Sequence, residues 1–361
     1  MTSTLVEHPI PRMPTRRRAR GLGTIVGSGL ILAAVIVLSA ANGAMPITLR
    51  ETLHALSRGA QGHASLLEGV EAIAWNLRFP RVLMAALVGA CLGSSGAAMQ
   101  GLFRNPLADP YLLGVASGAA LGATLAFSLS GHLEPAFSET PFEKGTFPSL
   151  VPLFSSVGAA GAVVTTLLLA RAGAKSSTSS LLLSGVAVGG VLVSLTTYLM
   201  LRDADRLRAV FSWSLGNLAS SSWSDLGHAL PYAASGMGLL YAFARGLDAL
   251  QLGEDTARTV GVRVGTLRAG VIAGASLATA AAVAFVGIIG FVGLVAPHAM
   301  RRIGAPHHRA LLPASALGGA TLLVLADLGA RTVIRPAELP VGVVTTLIGG
   351  PFFLWLLRRG P

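Results

Sequence analysis

The sequence predicts an all-α integral membrane protein with ten transmembrane helices, and three observations carry that expectation. Hydrophobic residues make up 52% of the 361 positions and charged residues only 12%, with a mean hydropathy of +0.67, far from the balance of a soluble domain. Apolar stretches recur at about the 20-residue length that crosses hydrocarbon. Basic residues gather at the ends of those stretches, as topology requires. The 44 glycines suit helices that approach closely in lipid, where packing rather than the hydrophobic effect drives association. A β-barrel would need alternating polarity, which the chain lacks.

Residues 1–21 form a basic tail ending in TRRRARG, and the first span covers residues 22–41. The run resembles a signal peptide, with a small-residue site near Ala40, but its length exceeds the roughly 7 to 15 residues of a signal h-region, so it is read as an uncleaved span. Further spans fall near residues 79–100, 111–130, 150–170, 181–201, 226–247, 310–330 and 339–357. The stretch from Leu267 to Ile303 is too long for one crossing, reaching roughly 50 Å as a helix. Gly287, Gly290 and Gly293, followed by Pro297, divide it into spans near 267–286 and 289–303. With the N-terminus inside, ten spans place 17 of the 27 basic residues on the inner side. An unbroken stretch would nearly equalise the two sides, so the positive-inside rule favours ten spans and two cytoplasmic termini.

The net charge of +11 reflects this topology; no aromatic-basic motif for nucleic acid accompanies it. Cys91 is the sole cysteine, which excludes internal disulfides and cysteine-rich metal sites. His298 has no partner at helical spacing and is read as structural. AGAKSS at Ala172 lacks the glycines of a phosphate-binding loop. Asp327 stands four residues before Arg331 and can pair with it on one helix face. Ionisable groups are nearly absent from the spans, so a proton- or sodium-driven carrier lacks its usual machinery. A membrane enzyme lacks a converging nucleophile, base or metal set. Gly114–Leu125 and Pro313–Leu323 are both rich in Ala and Gly, which does not establish a repeat.

The stretch Met99–Gly118, MQGLFRNPLADPYLLGVASG, sets Arg104 and Asp109 around Pro106 and Pro110 between two apolar segments, so the chain must turn there in one specified way. With RFPR at Arg78, GACLGSSGAAMQG at Gly89, LLLSGVAVGG at Leu181, LGEDTARTVGV at Leu252, GFVGLVAPHAMRRIG at Gly290, HRALLPASALGGATLLVLADLGAR at His308 and ELPVGVVTTLIGGPFFLWLL at Glu338, the chain resembles the FecCD/BtuC family. These are permease subunits of ATP-binding-cassette importers for iron-siderophores, haem and cobalamin. The resemblance runs over about residues 70–359 and implies a BtuC-like, type II importer fold working as a homodimer in the cell inner membrane.

It further implies partners: two copies of an ATPase subunit, which use ATP and magnesium so that this chain needs no cofactor or metal of its own, and a periplasmic or lipid-anchored substrate-binding protein. Within the polar stretch 248–266 it implies cytoplasmic coupling helices, with Gly253, Glu254, Thr256, Ala257, Val260 and Gly261 meeting the ATPase. Seven arginines lie on the outer side against the topology bias: Arg78, Arg81, Arg202, Arg206, Arg208, Arg331 and Arg335. Snorkelling to headgroups is the plain reading of these, while the resemblance implies binding-protein docking at Arg78, Arg81 and Arg331. Alone, the inner turn KSSTSS is a polar turn; the resemblance, through cobalamin permeases, implies that its Ser176, Ser177 and Thr178 form a cytoplasmic gate. The outer segment RDADRLRAVFSWSLGNL at Arg202 is more similar to haem permeases, apart from Asn217 where serine is frequent, whereas VAPH also occurs in the cobalamin branch. Haem is therefore expected slightly ahead of a ferric siderophore, with cobalamin or a self-contained carrier as alternatives. The polar insert Gly131–Ser149 is expected to be an external loop.

Overall fold

A computed structural model describes residues 15–43, 45, 47–137, 150–172, 178–202 and 207–358. In chain order its helices are α1 (Thr15–Ala41), α2 (Leu49–Ala60), α3 (Gly69–Ile73), α4 (Phe79–Phe103), α5 (Val115–Phe137), α6 (Leu150–Ala172), α7 (Thr178–Arg202), α8 (Leu207–Ser214), α9 (Trp223–Ala242), α10 (Ala244–Leu250), α11 (Glu254–Thr259), α12 (Val264–Val286), α13 (Val292–Ile303), α14 (His308–Thr332) and α15 (Val341–Arg358). Among the described residues there is no strand. Among the described residues six helical segments are long and apolar enough to cross a membrane, and two shorter apolar helices, Val115–Leu129 and Val341–Trp355, accompany them. The protein is a multi-pass membrane protein.

Helix α4 is the central post, and its glycines explain why. A Cβ on Gly93 would lie 2.1 Å from the Ser315 carbonyl oxygen, one on Gly89 would lie 2.3 Å from that of Gly319, and one on Gly96 would lie 1.9 Å from that of Gly293. Backbone therefore touches backbone where α4 crosses α14 and α13, the close approach that small residues permit in lipid. Helices α5 and α6 meet in the same manner through Gly118, Gly122 and Gly158. Polar side chains on α4 are satisfied by its neighbours: Ser95 donates to Ala275 O of α12 at 3.3 Å, and Gln100 Nε2 donates to Gly293 O at 3.2 Å.

The long apolar stretch is interrupted, and the break is wider than the two residues left between the expected spans 267–286 and 289–303. Residues 287–290 have no helical structure; Gly287 (φ +83°) and Phe291 (φ +68°) are left-handed. Helix α13 consequently starts at Val292, and its 12 residues extend only about 18 Å. Unwound backbone in a membrane must find partners inside the protein. Tyr111 supplies two, its hydroxyl donating to Ile289 O at 2.9 Å and accepting from Ile289 N at 3.3 Å, while Asn217 N donates to Val286 O at 2.8 Å.

Other boundaries also shift. The span expected at 226–247 ends at Ala242, because Phe243 takes φ −90°, ψ 1° and lays its ring against Gly270; the last turn belongs to α10. The span expected to start at Tyr111 opens with a 3₁₀ turn, Pro110–Leu113, and α5 then runs on to Phe137, seven residues past the expected end. The rest of the polar insert, 138–149, lies outside the described residues. No helix was expected between residues 41 and 79, yet α2 stands there behind a capping box in which Thr48 and Glu51 bond each other reciprocally. The Thr48 hydroxyl and amide hold the Glu51 carboxyl below its usual range. Trp75 packs over Gly59 of α2 and stacks on Trp223, ring centroids 4.6 Å apart.

Candidate functional site

Two clusters, at opposite ends of the bundle, carry the residues singled out from the sequence. The first is a helix-turn-helix formed by α10 and α11, the first of which begins at Ala244, four residues before the stretch in which coupling helices were expected. Gly253, at φ +111°, separates them, and Gly261, at φ +85°, closes α11; few side chains tolerate these conformations. Glu254 does not project freely, since its carboxylate meets Arg268 at 2.8 Å and Arg258 at 3.5 Å. Ala257 is fully buried against the body of the protein, so a direct contact with a partner is corrected for this residue. Its small side chain lets α11 lie flat. Thr256, Val260 and Gly261 are exposed.

Sequence reading missed the apolar residue that completes this surface. Leu252 is 72% exposed and Val260 is 64% exposed, on either side of α11. Flanking glycines had drawn attention to the turn, but nothing local marks Leu252 as outward-facing. Leu252 and Val260 both leave apolar surface exposed on an otherwise polar hairpin.

The hairpin is tied firmly to the bundle. The Asp248 carboxylate of α10 accepts from the His308 amide at 2.7 Å and lies 2.8 Å from its ring Nδ1. Gln251 Nε2 donates to Gly101 O at 2.8 Å, near the end of α4. The buried His308 ring occupies the space over Gly101, where a Cβ would lie 2.2 Å from Nε2. A push on the hairpin therefore reaches the ends of α4 and α14 directly. Next to it, the turn after α4 keeps Arg104 left-handed at φ +49°, and the Asp109 side chain caps the Tyr111 amide at 2.8 Å. Burial pushes the Asp109 carboxyl up to about 6.

The second cluster joins Arg78, Arg81 and Arg331, the three arginines for which docking of a binding protein was expected. Arg78 Nη1 donates to Ala40 O and Ala41 O at 3.0 and 2.9 Å, and its Nη2 donates to Met45 O. Arg331 donates to Asn42 O at 2.8 Å, to Ser39 O at 3.1 Å and to the Ser39 hydroxyl at 2.7 Å. Both are buried and satisfy carbonyls at the C-terminus of α1, the end where a cation is favoured. The expected Asp327–Arg331 pair is present at 2.9 Å. Arg81 bonds Asp327 at 2.9 Å and Glu338 at 2.8 Å. Exposure to the outside is thus corrected for Arg78 and Arg331, whose guanidinium groups turn inward to the last carbonyls of α1 and those just beyond it.

Of the gate residues, Ser176 and Ser177 lie outside the described residues, and Thr178 begins α7. His298 makes an edge contact with Phe352, ring centroids 5.7 Å apart. Among the described residues no three His, Cys, Asp or Glu side chains come together as a metal site.

Residues 31–359 match the FecCD transport family. The chain is 41% identical to the hemin transport system permease protein HmuU of Yersinia pestis, over 93% of this chain and 95% of that one. It is 38% identical to the cobalamin import system permease protein BtuC of Halobacterium salinarum, over 94% and 97%. It is also 38% identical to the Fe(3+) dicitrate transport system permease protein FecD of Escherichia coli, over 91% and 96%. Among solved structures, an ABC transporter assigned to the metal-chelate type, in an inward-facing conformation, superposes with a TM-score of 0.77 at 29% identity, covering 93% of this chain and 99% of that one.

Proposed function

Because the chain belongs to the FecCD transport family, we propose that it is the permease subunit of an ABC importer, carrying a metal chelate across the cell inner membrane by alternating access in a homodimer. In this reading the chain crosses ten times and keeps both termini in the cytoplasm. Two ATPase subunits, using ATP and magnesium, bind the α10–α11 hairpin, and a periplasmic or lipid-anchored binding protein delivers the chelate to the opposite face. The hairpin is the observation that carries it, since it presents Leu252, Thr256 and Val260 to the cytoplasm while Asp248 and Gln251 grip α14 and α4. Movement of an ATPase would then reach the post around which the bundle is packed. Ser176, Ser177 and Thr178 form the cytoplasmic gate in this scheme.

At the outer face, Arg81 is the residue a binding protein can recruit, because its partner Glu338 has a side chain 40% exposed and can be displaced by an incoming carboxylate. Arg78 and Arg331 hold the rim in shape beneath it. Haem is the substrate proposed first, supported by the Arg202–Leu218 segment and by the similarity to a hemin permease. Cobalamin is the second reading, supported by VAPH and by the similarity to a cobalamin permease.

Two results are expected. Reconstituted with the ATPase and binding protein encoded beside it, the chain should raise ATP hydrolysis when the binding protein is loaded with its own chelate; titrating haem, a ferric siderophore and cobalamin separately identifies that chelate. Transport by the chain alone would instead establish a self-contained carrier. Changing Leu252 and Val260 together to aspartate should weaken ATPase association at least tenfold in a pull-down while leaving the melting temperature unchanged, since both side chains are exposed. Unchanged association would remove the hairpin from the interface.

A further inference from the structure

A slot of about 610 Å³ opens between α6 and α12, with Tyr232 of α9 on its wall. Along α6 its lining runs from Pro152 to Arg171, a distance of about 28 Å at helical rise, which matches the roughly 30 Å depth of hydrocarbon. Val164 and Leu277 expose apolar surface along it. Among the described residues only two charged side chains line it, Arg171 and Arg268, both at the end that carries α11. Arg171 is exposed and has no ion-pair partner among the described residues. Arg268 is partly engaged by Glu254. No acidic side chain lines the slot among the described residues.

A surface that is apolar for the depth of the bilayer and basic at one end selects a ligand with the complementary pattern. We propose that the slot binds an anionic phospholipid, its headgroup at Arg171 and Arg268 and an acyl chain along the small-residue wall of α6 and α12. Basic pockets between membrane helices take acidic headgroups on the cytoplasmic side. Ala160 and Ala273 leave room for the chain. A lipid seated there bridges α6 to α12, and α12 begins directly after the α10–α11 hairpin, so lipid composition bears on the mobility of the element that meets the ATPase. The inference rests on the membrane-spanning reading and goes beyond transport.

The test is to place the purified chain in nanodiscs of equal parts phosphatidylglycerol and phosphatidylcholine, extract it gently and weigh the intact complex by mass spectrometry. One phosphatidylglycerol should stay with each chain in preference to phosphatidylcholine. Arg171→Ala should lower that preference about fivefold, the worth of one arginine near a charged headgroup, without changing the melting temperature. Ala160→Trp with Ala273→Trp should remove retained lipid of both kinds. Equal retention of the two lipids, or an undiminished preference in Arg171→Ala, overturns the proposal. So does efficient cross-linking of Ala160→Cys between two chains, which would show a second copy covering the slot. A chain that enters the discs and keeps no lipid refutes the slot alone, whereas one that fails to enter refutes the spanning reading and the slot with it.

Discussion

Asp327→Ala should destabilise the protein by about 3–5 kcal/mol, the cost of leaving buried charge without its counter-ion. Asp327 is fully buried, and its two oxygens serve Arg81 and Arg331, each at 2.9 Å. Removing the carboxylate leaves two guanidinium groups facing each other in a water-poor setting. Arg331 also holds Ser39 and Asn42, so the end of α1 should loosen with it. The temperature at which the detergent-purified chain loses its single gel-filtration peak measures this. Glu338→Gln is the comparison: its half-exposed pair with Arg81 should be worth no more than about 1 kcal/mol. Equal melting of the two variants would show that Asp327 does not organise the cluster.

Gly93→Val should be at least as damaging. Overpacking a core usually costs about 1–3 kcal/mol because side chains yield. At this position the obstacle is the Ser315 carbonyl, 2.1 Å from the added carbon, with Gly319 Cα at 3.3 Å. Backbone cannot rotate away, so α4 and α14 must separate along their crossing, and the expected result is loss of folded protein from the membrane fraction. Gly329→Ala, in the same α14 with nothing within 4 Å of its added carbon, should be neutral or stabilising by up to about 1 kcal/mol through helix propensity. A Gly93→Val chain that melts like Gly329→Ala would refute close backbone packing.

Helices were legible in the sequence wherever composition alone decides them. The six long apolar segments overlap expected spans, though the one from Gly69 to Phe103 begins ten residues before the span expected at 79–100, and the glycines from 287 to 293 marked a real interruption. What could not be read depended on partners distant in sequence. Ala257 looks like any residue of a surface helix until the body beneath it is known. Arg78 and Arg331 read as outward charges because their acceptors, the carbonyls of residues 39–45, carry no side-chain signature. Leu252 is one leucine among many, and only the turn at Gly253 exposes it. The capping box at Thr48 and Glu51 was the exception, a local signal for α2 that apolar stretches overshadowed.

The glycine-lined faces of α4 have a consequence for how the chain is made. Gly93 and Ser315 lie about 220 residues apart, so at about 5–20 residues per second α4 leaves the ribosome roughly 10–45 seconds before α14 exists. For most of that interval Ser95 and Gln100 lack the carbonyls of Ala275 and Gly293 that later accept from them. The helix at the heart of the finished bundle thus stays incomplete until the C-terminal third of the chain arrives to close around it.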